Sequence, residues 1–508
     1  MTHKERPEGQ ILVIFGASGD LTKRKLIPSL FHLYRSNKLP KHFAVLGIGR
    51  SSYTNDEYRA YLTNELSTFG DIKDADQKAI SSFINMFNYL VMDPSDMNEY
   101  PKLKVVLEEL STTNNINENY LYYLATPPAL YKKIPLGLKE VGLNKDNGEK
   151  GKKRIIIEKP FGYNLKTAVS LNHTLMSAFK EDQIFRIDHY LGKETVLNVM
   201  ALRFANGIFE PLWNRNYIDH IEITAVENIG IESRAGFYDE VGALRDMVQN
   251  HLIQLVAIAA LEPPIKFDAD NFRNEVVKVY NALRPLDKED VLKNVVRGQY
   301  VASGMHESYR EMKGVKKDSR TETYVAMKLF IDNWRWEGVP FYIRTGKQLP
   351  TKVSEIVVHF KQTPHMMFKG DKNERVYNKL IIRIQPNEGV LMRIAMKTPG
   401  SGYEVKDVSL DFTYDKLGGV PTGDAYARLI EDCMKGESTL FTRSDAVEAS
   451  WKYFDTIIKE WEDNPMIPLY GYPAGTWGPL EADKLMNKGF TWTNPCKNLT
   501  NTDLYCEL

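Results

Sequence analysis

The N-terminal segment begins with a short apolar run, Ile11–Phe15, which is followed at once by two glycines and a helical pattern. The run predicts a buried strand, and the spacing of apolar residues in Leu21–Tyr34 predicts a helix. Gly16 and Gly19 lie between them, where they allow a tight turn and a close approach of backbone N–H groups to a pyrophosphate. A structural turn is the alternative, because the spacing is not that of G-x-G-x-x-G. The order of strand, glycines and helix favours a dinucleotide site, with the candidate residues Gly16, Ala17, Ser18, Gly19, Asp20 and Leu21.

Strands and helices continue to alternate over the first 200 residues. Further short apolar runs at Phe43–Ile48, Tyr120–Leu124 and Arg154–Ile157 are separated by helical stretches. Such alternation is typical of a parallel sheet with crossover helices. We therefore expect residues 1–200 to form a Rossmann-like dinucleotide-binding domain.

The pattern changes after about residue 200, where strands follow one another without helices between them in the 340–415 region. This favours antiparallel pairing. We expect residues 201–508 to form a substrate and oligomerisation domain with a large antiparallel sheet and helices, which makes the fold class α/β followed by α+β. Because a broad sheet must cover its open face, a homodimer or homotetramer is expected. The predicted strands are Ile218–Ile223, Ile356–Phe360, Leu380–Gln385, Val390–Met396 and Val408–Phe412, and the predicted helices are Glu240–Leu261, Ala425–Lys435 and Asp445–Trp461.

Composition excludes several classes of function. Lys plus Arg and Asp plus Glu number 66 each, so no overall field favours nucleic acid or an anionic membrane. The most apolar stretch, Leu252–Leu261, is far shorter than the roughly 20 residues that a membrane-spanning helix needs. Three cysteines in 508 residues argue for a reducing compartment, and the first nine residues lack the apolar core of a signal peptide. We expect a cytoplasmic protein without metal.

The second predicted strand ends at Gly49, and Arg50 follows it. Sites for NAD usually place an acidic residue here to accept the ribose 2′-hydroxyl. A planar guanidinium instead matches a 2′-phosphate with two hydrogen bonds. Arg50 therefore predicts NADP rather than NAD.

The segment RIDHYLGKE, residues 186–194, places a carboxylate, an imidazole and an ammonium group close together. Asp188 occupies the position of a helix N-cap, and His189 and Lys193 are then four apart on one face of the first turn. A helix N-terminus with two cations would bind an anion, best a phosphate. A capped surface helix with solvated charges is the alternative.

His251 lies in the middle of the predicted helix 239–261, where polar residues give way to an aliphatic run. A histidine in such a place is commonly a packed core residue. A catalytic histidine needs a carboxylate to fix its tautomer. Asp246 is five residues earlier, about 140° round a regular α-helix, so the carboxylate is expected from elsewhere in the chain.

With GASGDL at 16–21, EKPFG at Glu158–Gly162, RIDHYLGKE and RDMVQNH in this order, the chain resembles the glucose-6-phosphate dehydrogenases of the eukaryotic cytosolic kind. The resemblance runs from about residue 10 to about residue 490. It implies NADP-dependent oxidation of glucose 6-phosphate at C1 to 6-phosphogluconolactone, the first oxidative step of the pentose phosphate pathway.

The resemblance also implies roles for individual residues. His251 would be the general base, and Asp188 the carboxylate that orients it. Tyr131 and Lys159 would contact the cofactor, and Lys159 also the sugar. The implied substrate-binding residues are Lys159, His189, Tyr190, Lys193, Glu227, Asp246, Lys347 and Lys352.

The resemblance is incomplete at a second, structural NADP site that the animal enzymes have. Arg344, Arg383 and Gln385 match that pattern, but Val353 and Val357 replace basic residues. We therefore do not predict this second site. Two other functions compete with the dehydrogenase: a short-chain reductase using a Tyr-x-x-x-Lys pattern, as at Tyr324–Lys328, and a non-catalytic sensing module. The presence of both His251 and Asp188 favours an active enzyme.

Overall fold

The computed structural model describes residues 6–70, 77–148, 151–232, 235–365, 367–368, 377–417 and 424–495. The strands are β1 (Gln10–Phe15), β2 (Phe43–Gly49), β3 (Phe87–Val91), β4 (Tyr120–Leu124), β5 (Lys153–Ile157), β6 (Ile184–Arg186), β7 (Ile218–Val226), β8 (Val295–Val301), β9 (Tyr324–Leu329), β10 (Phe341–Gly346), β11 (Val353–Phe360), β12 (Lys379–Gln385), β13 (Gly389–Lys397), β14 (Val405–Thr413) and β15 (Tyr470–Pro473).

The helices are α1 (Ile27–Arg35), α2 (Asn55–Phe69), α3 (Gln77–Ile84), α4 (Tyr100–Thr113), α5 (Lys133–Glu140), α6 (Leu165–Ala178), α7 (Glu194–Phe204), α8 (Ala235–Ala243), α9 (Ile253–Ala260), α10 (Ala269–Asn281), α11 (Lys288–Asn294), α12 (Ala425–Lys435) and α13 (Ser444–Asp463). Thr22–Leu26 and Leu244–Leu252 are π-helical. Among the described helices, none has both the length and the apolar character that crossing a bilayer requires.

The chain divides into two compact units, each built from separate stretches of sequence. Unit 1 comprises Met1–Gly192, Lys266–Arg273 and Thr422–Glu448, and unit 2 comprises Lys193–Ile265, Asn274–Pro421 and Ala449–Leu508. The division between residues 200 and 201 that we expected from the sequence stays a prediction.

Unit 1 is built on a parallel six-stranded sheet in the order β3-β2-β1-β4-β5-β6. This is the strand order of a doubly wound dinucleotide-binding fold, whose ligands bind at the carboxyl ends of the strands. Strands β1, β2 and β4 are buried along their whole length, which explains their nearly continuous apolar runs. The predicted Rossmann-like domain is confirmed.

Helix α12 also belongs to unit 1, although it lies more than 200 residues further along the chain. The Gln10 side-chain amide and the Arg154 guanidinium both donate to the carbonyl oxygen of Met434, across 3.2 and 3.1 Å. Cys433 on this helix is buried. Cys496 and Cys506 lie outside the described residues.

Unit 2 contains a nine-stranded sheet in the order β14-β13-β12-β11-β7-β10-β9-β8-β15. The expected antiparallel succession holds from β11 to β14. The sheet as a whole is mixed, because β7 pairs in parallel with β10 and β8 with β15. More than 100 residues, including several helices, separate β7 from β10, which gives the chain the length that a parallel crossover needs.

The predicted helix Glu240–Leu261 is interrupted at Gly242, whose φ of 71° no helix accommodates. A Cβ atom there would lie 2.4 Å from Oε1 of Glu322, so only glycine fits. The same Oε1 accepts the Leu244 N–H across 2.9 Å and thereby satisfies a free donor at the start of the π-helical segment. The helical path to His251 is thus set by a buried carboxyl group.

The carboxyl end of α9 is held by buried donors. The Arg203 guanidinium donates to the carbonyl oxygens of Ile258, Ala259 and Leu261 at 2.9–3.2 Å. Trp213 donates to Ala259 across 2.7 Å. Because helix ends leave carbonyls without intrahelical partners, these contacts fix the helix that follows His251.

Candidate active site

The glycine turn of unit 1 follows β1 directly. Gly16 has a φ of 89°, and a Cβ atom on it would lie 2.2 Å from the carbonyl oxygen of Ala125. The Gly16 carbonyl oxygen accepts the Gly19 N–H across 3.0 Å and the Thr22 hydroxyl across 2.9 Å. The turn is therefore closed by its own backbone, and its geometry requires glycine at position 16.

Two tyrosines that the sequence did not indicate support this turn from behind. Tyr58 donates to the carbonyl oxygen of Ala17 across 3.2 Å, and Tyr61 donates to that of Ser18 across 3.4 Å. A Cβ atom on Gly47 of β2 would lie 2.8 Å from the Tyr58 hydroxyl oxygen. Because glycine has none, the Tyr58 hydroxyl can reach Ala17. Glycine at 47 is therefore a packing requirement of the turn.

Arg50 follows the carboxyl end of β2 and is exposed. Tyr131 follows the short 3-10 turn Pro128–Leu130 after β4 and is 2% exposed. Together with the glycine turn, these residues lie after β1, β2 and β4, along the edge where a doubly wound sheet binds nucleotides. The predicted cofactor-binding residues thus share one edge of the unit 1 sheet.

Lys159 and Asp188 follow the neighbouring strands β5 and β6 at the same edge. Ile157 of β5 pairs with Arg186 of β6, and the Ile187 N–H donates to the Ile157 carbonyl oxygen across 3.0 Å. Asp188 is buried, and its Oδ1 accepts the Tyr190 N–H across 2.9 Å. The ring of His189 lies 5.0 Å from that of Tyr190.

The expected helix start at Asp188 is wrong. Helix α7 begins at Glu194, with Lys193 as its N-cap residue and no capping side-chain hydrogen bond. His189 lies in the turn before the helix, so His189 and Lys193 do not share a helical face. Asp188 uses its carboxylate to close a local turn instead, a role that competes with helix capping.

In unit 2, His251 is buried within the π-helical segment Leu244–Leu252. Hydrogen bonds in a π-helix run between residues five apart. Residues at this spacing lie nearly one above the other. Asp246 and His251 therefore come to nearly the same face, and the angle expected from a regular α-helix is wrong.

Glu227 and Lys347 are brought together where the parallel strands β7 and β10 end. The Glu227 N–H donates to the Gly346 carbonyl oxygen across 3.0 Å, and the Lys347 ammonium group donates to the Glu227 carboxylate. Lys193, at the start of α7, donates to the amide oxygen of Gln385. Lys352 is exposed in the segment before β11.

The residues that match the structural NADP site of animal enzymes are engaged by protein groups. The Arg344 guanidinium lies over the rings of Trp477 and Trp492, with centroids at 4.8 and 4.7 Å. Arg383 forms an ion pair with Asp411. We propose no second NADP site, and the valines that depart from the animal pattern, Val353 and Val357, are both buried.

Another group of titratable side chains in unit 2 lies on β7 and β11. The rings of His220 and His359 stack with centroids 3.9 Å apart, and His359 Nε2 lies 2.5 Å from Glu222 Oε1. Burial acts to raise the pKa of Glu222, but hydrogen bonds to both histidines hold it well below its usual range. The carboxylate also accepts the N–H and hydroxyl of Thr493, each across 2.8 Å. Because the Glu222 oxygens accept these hydrogen bonds, the group serves as a buried anchor for the segment around Thr493.

The Tyr-x-x-x-Lys pattern at 324–328 lies in strand β9. Residues four apart in a strand are separated by about 13 Å, too far for one catalytic pair. Tyr324 is fully buried, and Lys328 donates to Asn487 across 2.7 Å. These contacts argue against the short-chain reductase.

Comparison with known proteins agrees with the sequence motifs. Residues 13–198 match the family described as glucose-6-phosphate dehydrogenase, NAD binding domain, and residues 200–493 match glucose-6-phosphate dehydrogenase, C-terminal domain. The chain is 50% identical to the glucose-6-phosphate 1-dehydrogenase of Aggregatibacter actinomycetemcomitans, over 96% of this chain and 98% of that one. It is 45% identical to that of Treponema pallidum, over 98% of both chains. The predicted family is confirmed. The predicted resemblance to the eukaryotic cytosolic members is wrong, because these relatives are bacterial.

Solved structures give the same result. A glucose-6-phosphate dehydrogenase in complex with its substrate glucose 6-phosphate superimposes with a TM-score of 0.89 at 34% identity, covering 97% of this chain and all of that one. The glucose-6-phosphate 1-dehydrogenase of Mycobacterium avium gives a TM-score of 0.82 at 35% identity, covering 97% of this chain and 99% of that one.

Proposed function

Because the chain belongs to the glucose-6-phosphate dehydrogenase family, we propose that it oxidises its sugar substrate with His251 as the general base and Asp188 as the carboxylate that orients it. The enzyme is an NADP-dependent oxidoreductase that converts D-glucose 6-phosphate to 6-phospho-D-glucono-1,5-lactone, the first oxidative step of the pentose phosphate pathway. The observation that carries the proposal is the buried His251 in a π-helical segment, an irregularity that is frequent at functional sites.

The residues of unit 1 fit a dinucleotide. The turn at Gly16 leaves no room for a Cβ atom against Ala125, as in the tight glycine turn that precedes a pyrophosphate site. Arg50 is exposed at the end of β2, where it would pair with the 2′-phosphate. Tyr131 and Lys159 would flank the nicotinamide end. When bound, NADP supplies the acceptor for the hydride from C1.

Oxidation at C1 requires that the hydroxyl proton leave as the hydride does. His251 would take this proton on an imidazole nitrogen, the side-chain group best suited to act as a base near neutral pH. Asp188 would hold the ring in the required tautomer and stabilise the imidazolium that forms. Asp246 comes to nearly the same helical face as His251, which fits its proposed role in accepting a sugar hydroxyl.

The remaining polar residues would hold the sugar phosphate. We propose that His189, Tyr190 and Lys193 bind the 6-phosphate. Lys193 lies at the start of α7, where the free N–H groups of the first turn add to its charge. Lys159, Glu227, Lys347 and Lys352 would contact the sugar and phosphate, and the Lys347 contact with Glu227 holds both side chains in place.

One assay tests this function. NADPH absorbance should rise when the purified enzyme is given glucose 6-phosphate and NADP, and rise far less with unphosphorylated glucose or with NAD. Lys193→Ala should raise the KM for glucose 6-phosphate while changing the slow reaction with glucose little. An equal loss with both sugars would place Lys193 in a structural role.

We also propose that the enzyme is a cytoplasmic homo-oligomer. Strand β14 lies at the edge of the unit 2 sheet, and most of its residues are exposed. They include large apolar side chains at Val408, Leu410 and Phe412. Such an edge favours pairing with another chain. Light scattering should give a mass of two or four chains, and Leu410→Lys should lower it.

A further inference from the structure

Glu158 is a buried carboxyl group that has no role in the site described above. It follows β5, directly before Lys159, and is 8% exposed. The hydroxyl of Tyr123, a fully buried residue of β4, donates to Glu158 Oε1 across 2.5 Å. Burying a carboxyl group costs free energy unless the group is hydrogen-bonded. Its presence at the nucleotide-binding edge of the sheet therefore suggests a role in the site.

The strand pairing brings Glu158 next to proposed active-site residues. Because Ile157 of β5 pairs with Arg186 of β6 in parallel, the segments that follow these two strands leave the sheet side by side. Glu158 and Lys159 then run beside Ile187 and Asp188. The Glu158 carboxyl group accepts a hydrogen bond from the backbone N–H of Lys159, and the charge of Asp188 acts on it as well.

We propose that Glu158 is a positioning residue for the oxidation: its carboxylate, fixed by the Tyr123 hydroxyl, holds Lys159 in place through the backbone N–H of that residue, and the rate rises as Glu158 loses its proton. This inference rests on the proposed roles of Lys159 and Asp188. It assigns Glu158 no contact with the substrate.

The electrostatics support an ionisation in the working range of the enzyme. Burial raises the pKa of Glu158 to about 7, while the hydrogen bond from Tyr123 and the charge of Lys159 act to lower it. The charge of Asp188 acts to raise it. Two tyrosine hydroxyls also interact electrostatically with this carboxyl group. Burial raises the pKa of each well above its ordinary value, so both stay protonated. They are Tyr131 and Tyr426.

Two groups would then govern the acidic side of the pH profile. His251 must be neutral to accept a proton, and Glu158 must be ionised to hold Lys159. When both deprotonations contribute, log kcat/KM rises with a slope greater than one over about one to two pH units below about pH 7. Removing either group leaves a slope of about one.

The test is the pH profile of kcat/KM for Glu158→Gln, which keeps the shape of the side chain without its charge. We expect a slope that stays near one over this pH range and, at about pH 8, a loss of about ten- to a hundredfold, as for one charge-assisted hydrogen bond. At about pH 5, where the parent keeps the Glu158 proton, the melting temperature should stay close to that of the parent. Glu140→Gln, at an exposed position at the end of α5, is the control and should behave as the parent does.

Tyr123→Phe gives a second and independent readout. Without its donor, the Glu158 carboxylate is less stable, so the ionisation should move to higher pH by about half a unit to one unit. In the Glu158→Gln background, Tyr123→Phe should cause no further movement. Should Glu158→Gln fail to fold, the movement in Tyr123→Phe alone decides the matter.

Two outcomes overturn the proposal: an unchanged slope and rate in folded Glu158→Gln, or an unmoved profile in folded Tyr123→Phe. His251→Asn separates this inference from the proposed active site. A fully active His251→Asn enzyme would refute the site itself. An impaired His251→Asn enzyme beside a normal Glu158→Gln enzyme would refute only the role of Glu158.

Discussion

The Tyr123 hydroxyl donates to the Glu158 carboxyl group across 2.5 Å in the buried part of unit 1. Burial raises the pKa of Glu158 from 4.5 to about 7, so between these values the folded chain keeps a proton that the unfolded chain has lost. Stability from this group is therefore present at low pH and falls as pH rises through this window. Glu158→Gln removes the effect, and its stability relative to the parent should rise by on the order of 2 kcal/mol between about pH 4.5 and 7. Thermal unfolding at several pH values measures this, and a constant difference would contradict it.

Gly16→Ala should abolish NADP binding or folding. The substitution places a Cβ atom 2.2 Å from a carbonyl oxygen at a φ of 89°, and neither strain can relax without moving β4. Gly142→Ala is the matched control, because Gly142 has a φ of 76° but no atom within 4 Å of the added Cβ. The control should cost about 1–2 kcal/mol and leave NADP affinity unchanged. Melting temperature and cofactor titration distinguish the two effects.

Arg50→Ala should raise the KM for NADP by about ten- to a hundredfold, as expected from the loss of a charged hydrogen bond. The slow reaction with NAD should change little. Arg35→Ala removes another exposed guanidinium, at the end of α1, and should alter neither. Equal losses with both cofactors would show that Arg50 does not read the 2′-phosphate.

His251→Asn should lower kcat by about 10²–10⁴-fold, the contribution of a positioned base, with a modest change in KM. Asp188→Asn should also lower kcat, because an amide can favour the wrong imidazole tautomer. A packed core histidine would instead lower the melting temperature and leave kcat per folded molecule intact. Measuring both quantities on each variant decides between these roles.

Arg203→Met should destabilise the enzyme by about 3–5 kcal/mol. The fully buried guanidinium pairs with Glu210 and caps the carbonyls at the end of α9. Its loss takes this donor from the Ile258 and Leu261 carbonyls and leaves Glu210 with Arg335 as its remaining cation. Arg24→Met removes an exposed ion pair with Asp20 and should cost less than about 1 kcal/mol. Denaturant unfolding gives both values, and similar losses would refute the capping role.

The sequence predicted the strands that are buried on both faces or that alternate clearly. The bounds predicted for Tyr120–Leu124 and Ala425–Lys435 agree with β4 and α12. The half-exposed β3 was not predicted, since its residues lack a continuous apolar run. Parallel pairing of β7 with β10 depends on contacts between distant residues, which local periodicity does not report.

The candidate site divides in the same way. The glycine turn and Arg50 were predictable because strand, turn and helix are local features. The helix start near Asp188 was misplaced, because an Asx-type turn and an N-cap use the same residue types. Tyr58 and Tyr123 escaped notice, since their hydrogen bonds reach residues 41 and 35 positions away. Glu158 belongs to the EKPFG motif, but only the folded structure shows that its side chain is buried.

The π-helical segment Leu244–Leu252 has a consequence for insertions and deletions. A π turn is equivalent to an α turn that has gained one residue. Deleting one residue between Asp246 and His251 would therefore restore a regular helix, in which the two residues are four apart and still lie on one face. The segment should therefore tolerate a one-residue deletion here, whereas a deletion inside the regular helix α9 would rotate the residues before it by about 100°. At this point the helix can take up a change of one residue in chain length without separating Asp246 from His251.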